Sequence, residues 1–182
     1  MNPIYLLLDI DGVLIPFPGP DGSIPSTHVR HRVVPAGRTP DDPVAVWLDP
    51  AHGPLLMDFL ADSPLTPIWC TSWREDATGI IGRLLGLPDF PHLDLPRPRI
   101  TTSHPAGYFW KRDHVDAWAG KSAIAWIDDD FTALDHHWAA ERTARGYPTL
   151  LVQPSPYSGL RSEQLVIVKE WAASPTAHHR AS

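Results

Sequence analysis

The sequence Tyr5-Leu6-Leu7-Leu8-Asp9-Ile10-Asp11-Gly12-Val13-Leu14 joins an apolar run to two carboxylates and a glycine. The apolar run has no polar alternation, which predicts a strand buried on both faces, as in a parallel sheet covered by helices. In open α/β sheets, ligands bind beyond the carboxyl ends of the strands, where Asp9 and Asp11 would emerge. Gly12 allows a turn that brings Asp11 back beside Asp9. The alternative is that the two acids form a solvated turn that only ends the strand.

Length and composition limit the kind of protein. At 182 residues and 43% hydrophobic, the chain has the size of one compact domain, which we expect over residues 1–174 with a disordered tail over 175–182. The net charge of -6 argues against non-specific binding of nucleic acid, because such binding relies on clustered Lys and Arg. The single cysteine, Cys70, excludes an intramolecular disulfide and a cysteine-based metal site.

The first residues predict a soluble, cytoplasmic protein. They carry no basic flank and Asp9 interrupts their apolar run, so they resemble neither a secretory signal nor a membrane span. We therefore expect no association with membranes. No obligate protein partner is evident from the sequence.

Apolar runs and helical periodicities alternate along the chain. After the first strand, further strands are predicted at 67–70, 99–103, 122–127 and 149–152. Helices are predicted near Pro54, after Ser72, from Lys111, after Asp130 and over 163–173. This alternation predicts an α/β fold with a doubly wound, mainly parallel sheet.

A flap is expected between the first strand and the first helix, at about 15–48. Residues 27–34 alternate, with Arg30 and Arg32 on one face and Val29 and Val33 on the other, and 44–48 form a second apolar run. Together these segments predict a β-hairpin. Its basic face suits an anionic substrate, and solvated charge on an exposed strand is the alternative.

Two capping signals lie close to the strand ends. Ser72 followed by Glu75 is a capping-box arrangement, so Ser72 is predicted to cap the second helix and to leave Thr71 facing the site. Thr71 could instead satisfy nearby backbone groups. Asp130 is predicted to cap the helix that follows the fourth strand.

Acidic residues follow two of the predicted strands. Asp9, Asp11, Asp128 and Asp129 should converge at one edge of the sheet, with Thr71 and Lys111 beside them. Carboxylates crowded in this way repel one another unless a cation holds them. Oxygen ligands without Cys or an ordered set of His suit Mg²⁺. A purely structural cation site is the alternative, although it would not need the lysine.

Metal and lysine together can neutralise a phosphoryl group. One carboxylate can then attack phosphorus to form an aspartyl-phosphate. A second acid is needed to protonate the leaving oxygen and afterwards to activate the hydrolytic water. Asp11, two residues after Asp9, is the candidate for that role.

These residues resemble, in order, the four motifs of the haloacid dehalogenase-like (HAD) hydrolase superfamily. The motifs are Asp9-Ile10-Asp11-Gly12-Val13-Leu14, Thr71 after a buried strand, Lys111, and Ile127-Asp128-Asp129. The resemblance implies a Rossmannoid fold. An acid at position 11 is similar to the phosphatase branch, because the dehalogenases lack it.

The resemblance also implies a role for each motif residue. Asp9 would be the nucleophile and a Mg²⁺ ligand, and Asp11 the general acid and base and a ligand through its main-chain carbonyl. Thr71 would bind phosphate, and Lys111 would neutralise the nucleophile and the phosphate. Asp128 would bind the metal, with Asp129 supporting it directly or through water; whether Asp129 or Asp130 is the second acid of the metal site stays open.

A looser resemblance links the chain to small bacterial HAD proteins grouped with the HAD domains of multi-domain RNA-repair proteins. It is carried by Trp69-x-Thr71-x-Trp73, by the run 126–130 and by the segment from Gly159 to Trp171. Only the flap follows the first motif, so no large cap is expected and the site should be open to bulky substrates. Ser72 and Arg74, next to Thr71, are further candidates for binding substrate, and Arg74 could instead be a helix-surface charge.

The sequence therefore predicts a magnesium-dependent HAD-type phosphatase that hydrolyses phosphomonoesters, either of a small molecule or of a nucleic-acid end. A phosphatase acting on nucleic-acid ends in RNA or DNA repair, with Arg30 and Arg32 contacting the strand, is one alternative. A HAD module that binds phosphate without turnover is another.

Overall fold

A computed structural model describes residues 3–96 and 103–173. Its strands are β1 Ile4–Leu8, β2 Val29–Val33, β3 Val44–Leu48, β4 Leu65–Trp69, β5 Ala123–Ile127 and β6 Thr149–Val152. The predicted strand over 99–103 falls almost entirely outside the described residues, and the predicted tail over 175–182 falls wholly outside them.

Helices separate the strands that form the central sheet, as predicted. They are α1 His52–Ala61, a π-helical segment Ala77–Gly82 that continues into α2 Arg83–Leu85, α3 Arg112–Ala119, α4 Ala133–Ala144 and α5 Ser162–Ala173. Helix α1 begins two residues before Pro54, which its first turn tolerates because the N–H groups there lack helical partners. No helix within 3–96 and 103–173 has both the length and the apolarity needed to cross a bilayer.

The central sheet is parallel and has helices on both faces. Its strand order is β4-β1-β5-β6, with all neighbours parallel. Leu6 and Leu8 of β1 belong to a core shared with α1 and α5, whereas Leu7 belongs to a second core shared with α3 and α4. Successive side chains of a strand point to opposite faces, so the uninterrupted apolar run is explained by burial on both sides. The predicted α/β architecture with a mainly parallel sheet is confirmed.

The predicted hairpin is also present. Strands β2 and β3 pair antiparallel from Val29–Leu48 to Val33–Val44. Val33 and Leu48 are buried, which anchors the hairpin to the rest of the fold. Arg30 is exposed, and its guanidinium lies 5.7 Å from the centre of the Trp47 ring.

Both predicted helix caps are wrong. Between Ser72 and Glu75 the chain turns through Arg74, which has a left-handed φ of 52°, so the helical segment begins only beyond it. The sharp turn after β4 takes precedence over the local capping pattern. Helix α4 is capped by Thr132 rather than by Asp130, which lies two residues too early.

Candidate active site

Asp9 and Asp128 lie side by side, each directly after one of two neighbouring strands of the sheet. Leu8 pairs with Ile127 at the ends of β1 and β5. The ladder continues by one residue on each strand: the Asp9 N–H donates to the Ile127 carbonyl at 3.1 Å, and the Asp128 N–H donates to the Val152 carbonyl at 3.2 Å. The sheet itself therefore fixes the positions of Asp9 and Asp128.

Lys111 connects these two acids. It precedes α3, and its Nζ lies 2.6 Å from Oδ2 of Asp9 and 2.9 Å from Oδ2 of Asp128. The same ammonium donates to the carbonyl oxygen of Cys70 at 3.0 Å. Since an ammonium group has three N–H donors, each of them has an acceptor. Burial opposes the charge of Lys111, but Asp128 and Asp9 outweigh it and raise the pKa of the lysine.

One lysine does not balance the negative charge that gathers here. Carboxylate oxygens of Asp9, Asp128 and Asp129 all lie within 4.8 Å of one another. Burial, and then the charge of Asp9, raise the pKa of Asp128 and raise that of Asp129 to about 6. Two oxygens bound to the same Mg²⁺ lie at most about 4 Å apart, so these three acids fit such an ion after small side-chain movements.

Asp11 stands at the edge of this group. Its Oδ2 accepts a hydrogen bond from Nε1 of Trp73 at 3.0 Å. Burial and the nearby charge of Asp9 raise the pKa of Asp11 to about 6, although the Trp73 hydrogen bond and Lys111 oppose the rise. Asp11 can therefore exchange a proton near neutral pH, unlike an ordinary aspartate.

A cavity of about 290 Å³ opens onto these residues. Its polar lining consists of Asp9, Asp11, Ser72, Lys111, Asp128, Asp129 and Asp130. Aromatic side chains complete the wall, and the centre of the Phe109 ring lies 5.1 Å from Nζ of Lys111. A cavity of this size, with a lysine and several carboxylates, has room for a phosphoryl group together with a small cation.

Three residues predicted to bind substrate follow β4, and their positions differ. Thr71 is fully buried, does not line this cavity, and accepts a long hydrogen bond of 3.4 Å from the Trp73 N–H. Ser72, predicted to be a helix cap, lines the cavity instead. Arg74 lines a neighbouring cavity and is paired with Asp94 at 2.7 Å. The structure therefore brings Ser72, but not Arg74, to the cavity that contains Asp9, Lys111 and Asp128.

Asp135 positions the segment that carries Lys111, and sequence reasoning missed it. This buried carboxylate accepts hydrogen bonds from the N–H of Phe109 at 3.1 and 3.2 Å, and from the N–H of Thr132 at 2.9 Å. It thereby joins the approach to Lys111 to the start of α4. The spacing Thr132-x-x-Asp135 is itself a capping-box signal, which predicts the role of Asp135 at the start of α4 but not its contact with Phe109.

The structure thus gathers Asp9, Asp11, Lys111, Asp128 and Asp129 at one edge of the parallel sheet. The arrangement can hold a divalent cation, bind an anion beside a lysine and exchange a proton at Asp11. Comparisons of the chain with models of protein families, with curated proteins and with solved structures found no match.

Proposed function

We propose that the protein is a magnesium-dependent phosphomonoester hydrolase of the HAD type that works through an aspartyl-phosphate. The observation that carries the proposal is the buried ammonium of Lys111, held 2.6 Å from Asp9 and 2.9 Å from Asp128 beside the carboxylate of Asp129. The order of the sequence motifs and the parallel α/β sheet support the same assignment.

Asp9, Asp128 and Asp129 are the side chains that would hold Mg²⁺. When bound, the ion would neutralise charge on the phosphoryl oxygens. Lys111 adds a second positive charge at the same place, and its contact with Asp9 orients that carboxylate. The low accessibility of Asp9 and Lys111 strengthens these electrostatic interactions, because little water screens them.

In the first half of the reaction, a carboxylate oxygen of Asp9 attacks phosphorus. The bond from phosphorus to the leaving oxygen breaks, and Asp11 donates a proton to that oxygen. Trp73 holds the Asp11 carboxyl in place through its indole N–H. The products of this half are the free alcohol and phosphorylated Asp9.

In the second half, the carboxylate of Asp11 accepts a proton from water. The water attacks the phosphoryl group, inorganic phosphate leaves and Asp9 is restored. Burial raises the pKa of Asp11 toward neutral pH, which suits this carboxyl to both directions of proton transfer.

The acid at position 11 also favours catalysis over binding alone. A module that only recognises phosphate would need Lys111 and a cation, but it would gain nothing from an additional carboxylate beside an anion, because like charges repel. Phosphate-dependent binding that survives replacement of both Asp9 and Asp11 would favour the binding module.

The test is phosphate release from a panel of phosphomonoesters in the presence of Mg²⁺, with Asp9→Asn as the critical variant. Removal of the nucleophile should lower kcat by on the order of 10⁴-fold or more. Asp58→Asn, at an exposed position on α1, is the matched control and should keep full activity. Equal inactivity of wild type and Asp9→Asn across a panel that includes phosphorylated oligonucleotides would overturn the proposal.

A further inference from the structure

A second and larger cavity adjoins the site. It has a volume of about 430 Å³ and lies between the β2–β3 hairpin and the turn that follows β4. Asp11 and Ser72 line both this cavity and the one that contains Asp9 and Lys111. Both cavities therefore meet at the residue proposed to protonate the leaving oxygen.

The walls of the two cavities differ in chemistry. Apolar side chains make up much of the larger one, including Ile15, Pro35, Ala36, Val44, Val46 and Trp73. The hydrogen bond from Trp73 to Asp11 ties the indole to the junction. A second hydrogen bond joins the hairpin to the segment that follows β4: the Ala36 N–H donates to Oδ2 of Asp76 at 2.6 Å. Cavities of this size and character bind small organic molecules.

The charges on the larger cavity do not suit a polyanion. Arg38 forms an ion pair with Asp42, and Arg74 forms one with Asp94. The lining also contains three carboxylates, those of Asp11, Glu75 and Asp76. Carboxylates here outnumber arginines, and binding of a nucleic-acid strand would require the reverse. Arg30 and Arg32 of the hairpin line neither of these two cavities.

We propose that the larger cavity binds the leaving group, and that the substrate is the phosphate ester of an uncharged, largely apolar alcohol. The inference rests on the proposed function. Asp9 attacks phosphorus, the bond from phosphorus to the ester oxygen breaks, and the Asp11 proton passes to that oxygen at the junction. The neutral alcohol is left in the larger cavity, and water later releases phosphate from Asp9.

The test compares 2-(2-naphthyl)ethyl phosphate with ethyl phosphate. Both release a primary alcohol of similar basicity, so the two esters differ mainly in the aromatic body. Burial of a naphthyl group should raise kcat/KM by roughly 50-fold or more. Ala36→Trp, which adds bulk to the cavity wall, should lower the ratio of kcat/KM for the naphthyl ester to kcat/KM for ethyl phosphate by about tenfold. Ala140→Trp, at an exposed position on α4, is the control.

The outcomes separate this inference from the proposed function. Hydrolysis of both esters at the same efficiency would overturn the leaving-group site while preserving the phosphatase. Preference for a 3′- or 5′-phosphorylated oligonucleotide over the naphthyl ester would also overturn it, in favour of a nucleic-acid substrate. A second measurement uses 2-(2-naphthyl)ethanol, which should bind the inactive Asp9→Asn variant more weakly after Ala36→Trp is added. Equal affinity with and without Ala36→Trp would contradict the assigned cavity.

Discussion

Gly12 packs directly against the carboxylate of Asp129: a Cβ atom at position 12 would lie 2.2 Å from Cγ of Asp129. The same glycine has a φ of 72°, in the left-handed region. The turn after β1 and the acid after β5 therefore fit together only because residue 12 has no side chain. This contact connects the first and last parts of the proposed site.

Gly12→Ala should disable the site more than it destabilises the fold. The new methyl group must displace Asp129, and a displacement of about 1 Å at a catalytic centre costs roughly 100-fold in rate. Gly86→Ala is the matched control, because Gly86 has a φ of 70° but nothing within 4 Å of its added Cβ. We expect Gly86→Ala to lower the free energy of unfolding by about 1–2 kcal/mol. Its activity should be unchanged. Equal activity losses in both variants, measured as kcat/KM, would contradict the role of the Gly12–Asp129 contact.

Asp11→Asn should slow turnover by roughly 10²- to 10⁴-fold, because the variant can neither protonate the leaving oxygen nor activate water. With an activated aryl phosphate, whose leaving group needs little protonation, the first half of the reaction should survive. The expected result in rapid-quench experiments is a burst of one equivalent of phenol followed by slow release of phosphate. A steady rate without a burst would count against Asp11 as the base of the second half.

The pH dependence of kcat/KM should depend on Trp73. For an alkyl phosphate the reaction needs protonated Asp11, so activity should fall as the pH rises through the pKa of this group, which burial raises above that of an ordinary aspartate. Burial, Asp9 and Asp129 raise the pKa of Asp11, while Trp73 and Lys111 lower it. Trp73→Phe removes a donor that stabilises the carboxylate, so its alkaline limb should lie about one pH unit higher. Coincident profiles of the two proteins would contradict this role of the indole.

Mg²⁺ should stabilise the protein more at pH 7.5 than at pH 5. Without a cation, the pKa values of Asp11 and Asp129 are raised from 3.8 to about 6. Their contribution to stability is therefore complete below about pH 4 and is lost as the pH rises through 6. The cation offsets the repulsion between the ionised groups.

At a concentration of about 100 times its Kd, Mg²⁺ should increase the free energy of unfolding by about 2.7 kcal/mol. This increase corresponds to a rise in Tm of roughly 5–10 °C. Thermal unfolding with Mg²⁺ or with a chelator measures this shift. Asp128→Asn should lose most of it, and the surface variant Asp58→Asn should keep it. A shift of equal size in Asp128→Asn would exclude Asp128 from the metal site.

The sheet could be predicted from sequence because its signals are local. Runs such as Leu6-Leu7-Leu8 and Ile124-Ala125-Trp126-Ile127 have no polar residue that would face solvent, and the structure buries both of them. Strands of this kind, separated by helices, allow few arrangements other than a covered parallel sheet. The shared edge then determined that Asp9 and Asp128 would meet.

The turns at the strand ends could not be predicted in the same way. Ser72 and Glu75 have the spacing of a capping box, but Arg74 between them adopts a left-handed φ of 52°, so the chain turns there instead of starting a helix at Ser72. The contact between Trp73 and Asp11 joins positions 62 residues apart, and no local pattern encodes it. Tertiary packing decided both features.

The central claim, that Asp9 becomes phosphorylated, is tested most directly by mass spectrometry of the Asp11→Asn protein, quenched in acid during turnover of an aryl phosphate with Mg²⁺. The account predicts one phosphoryl group per chain, located on the peptide that contains Asp9 and absent when Asp9→Asn is added. Hydrolysis that proceeds without this adduct, or a phosphoryl group found on another residue, would contradict it.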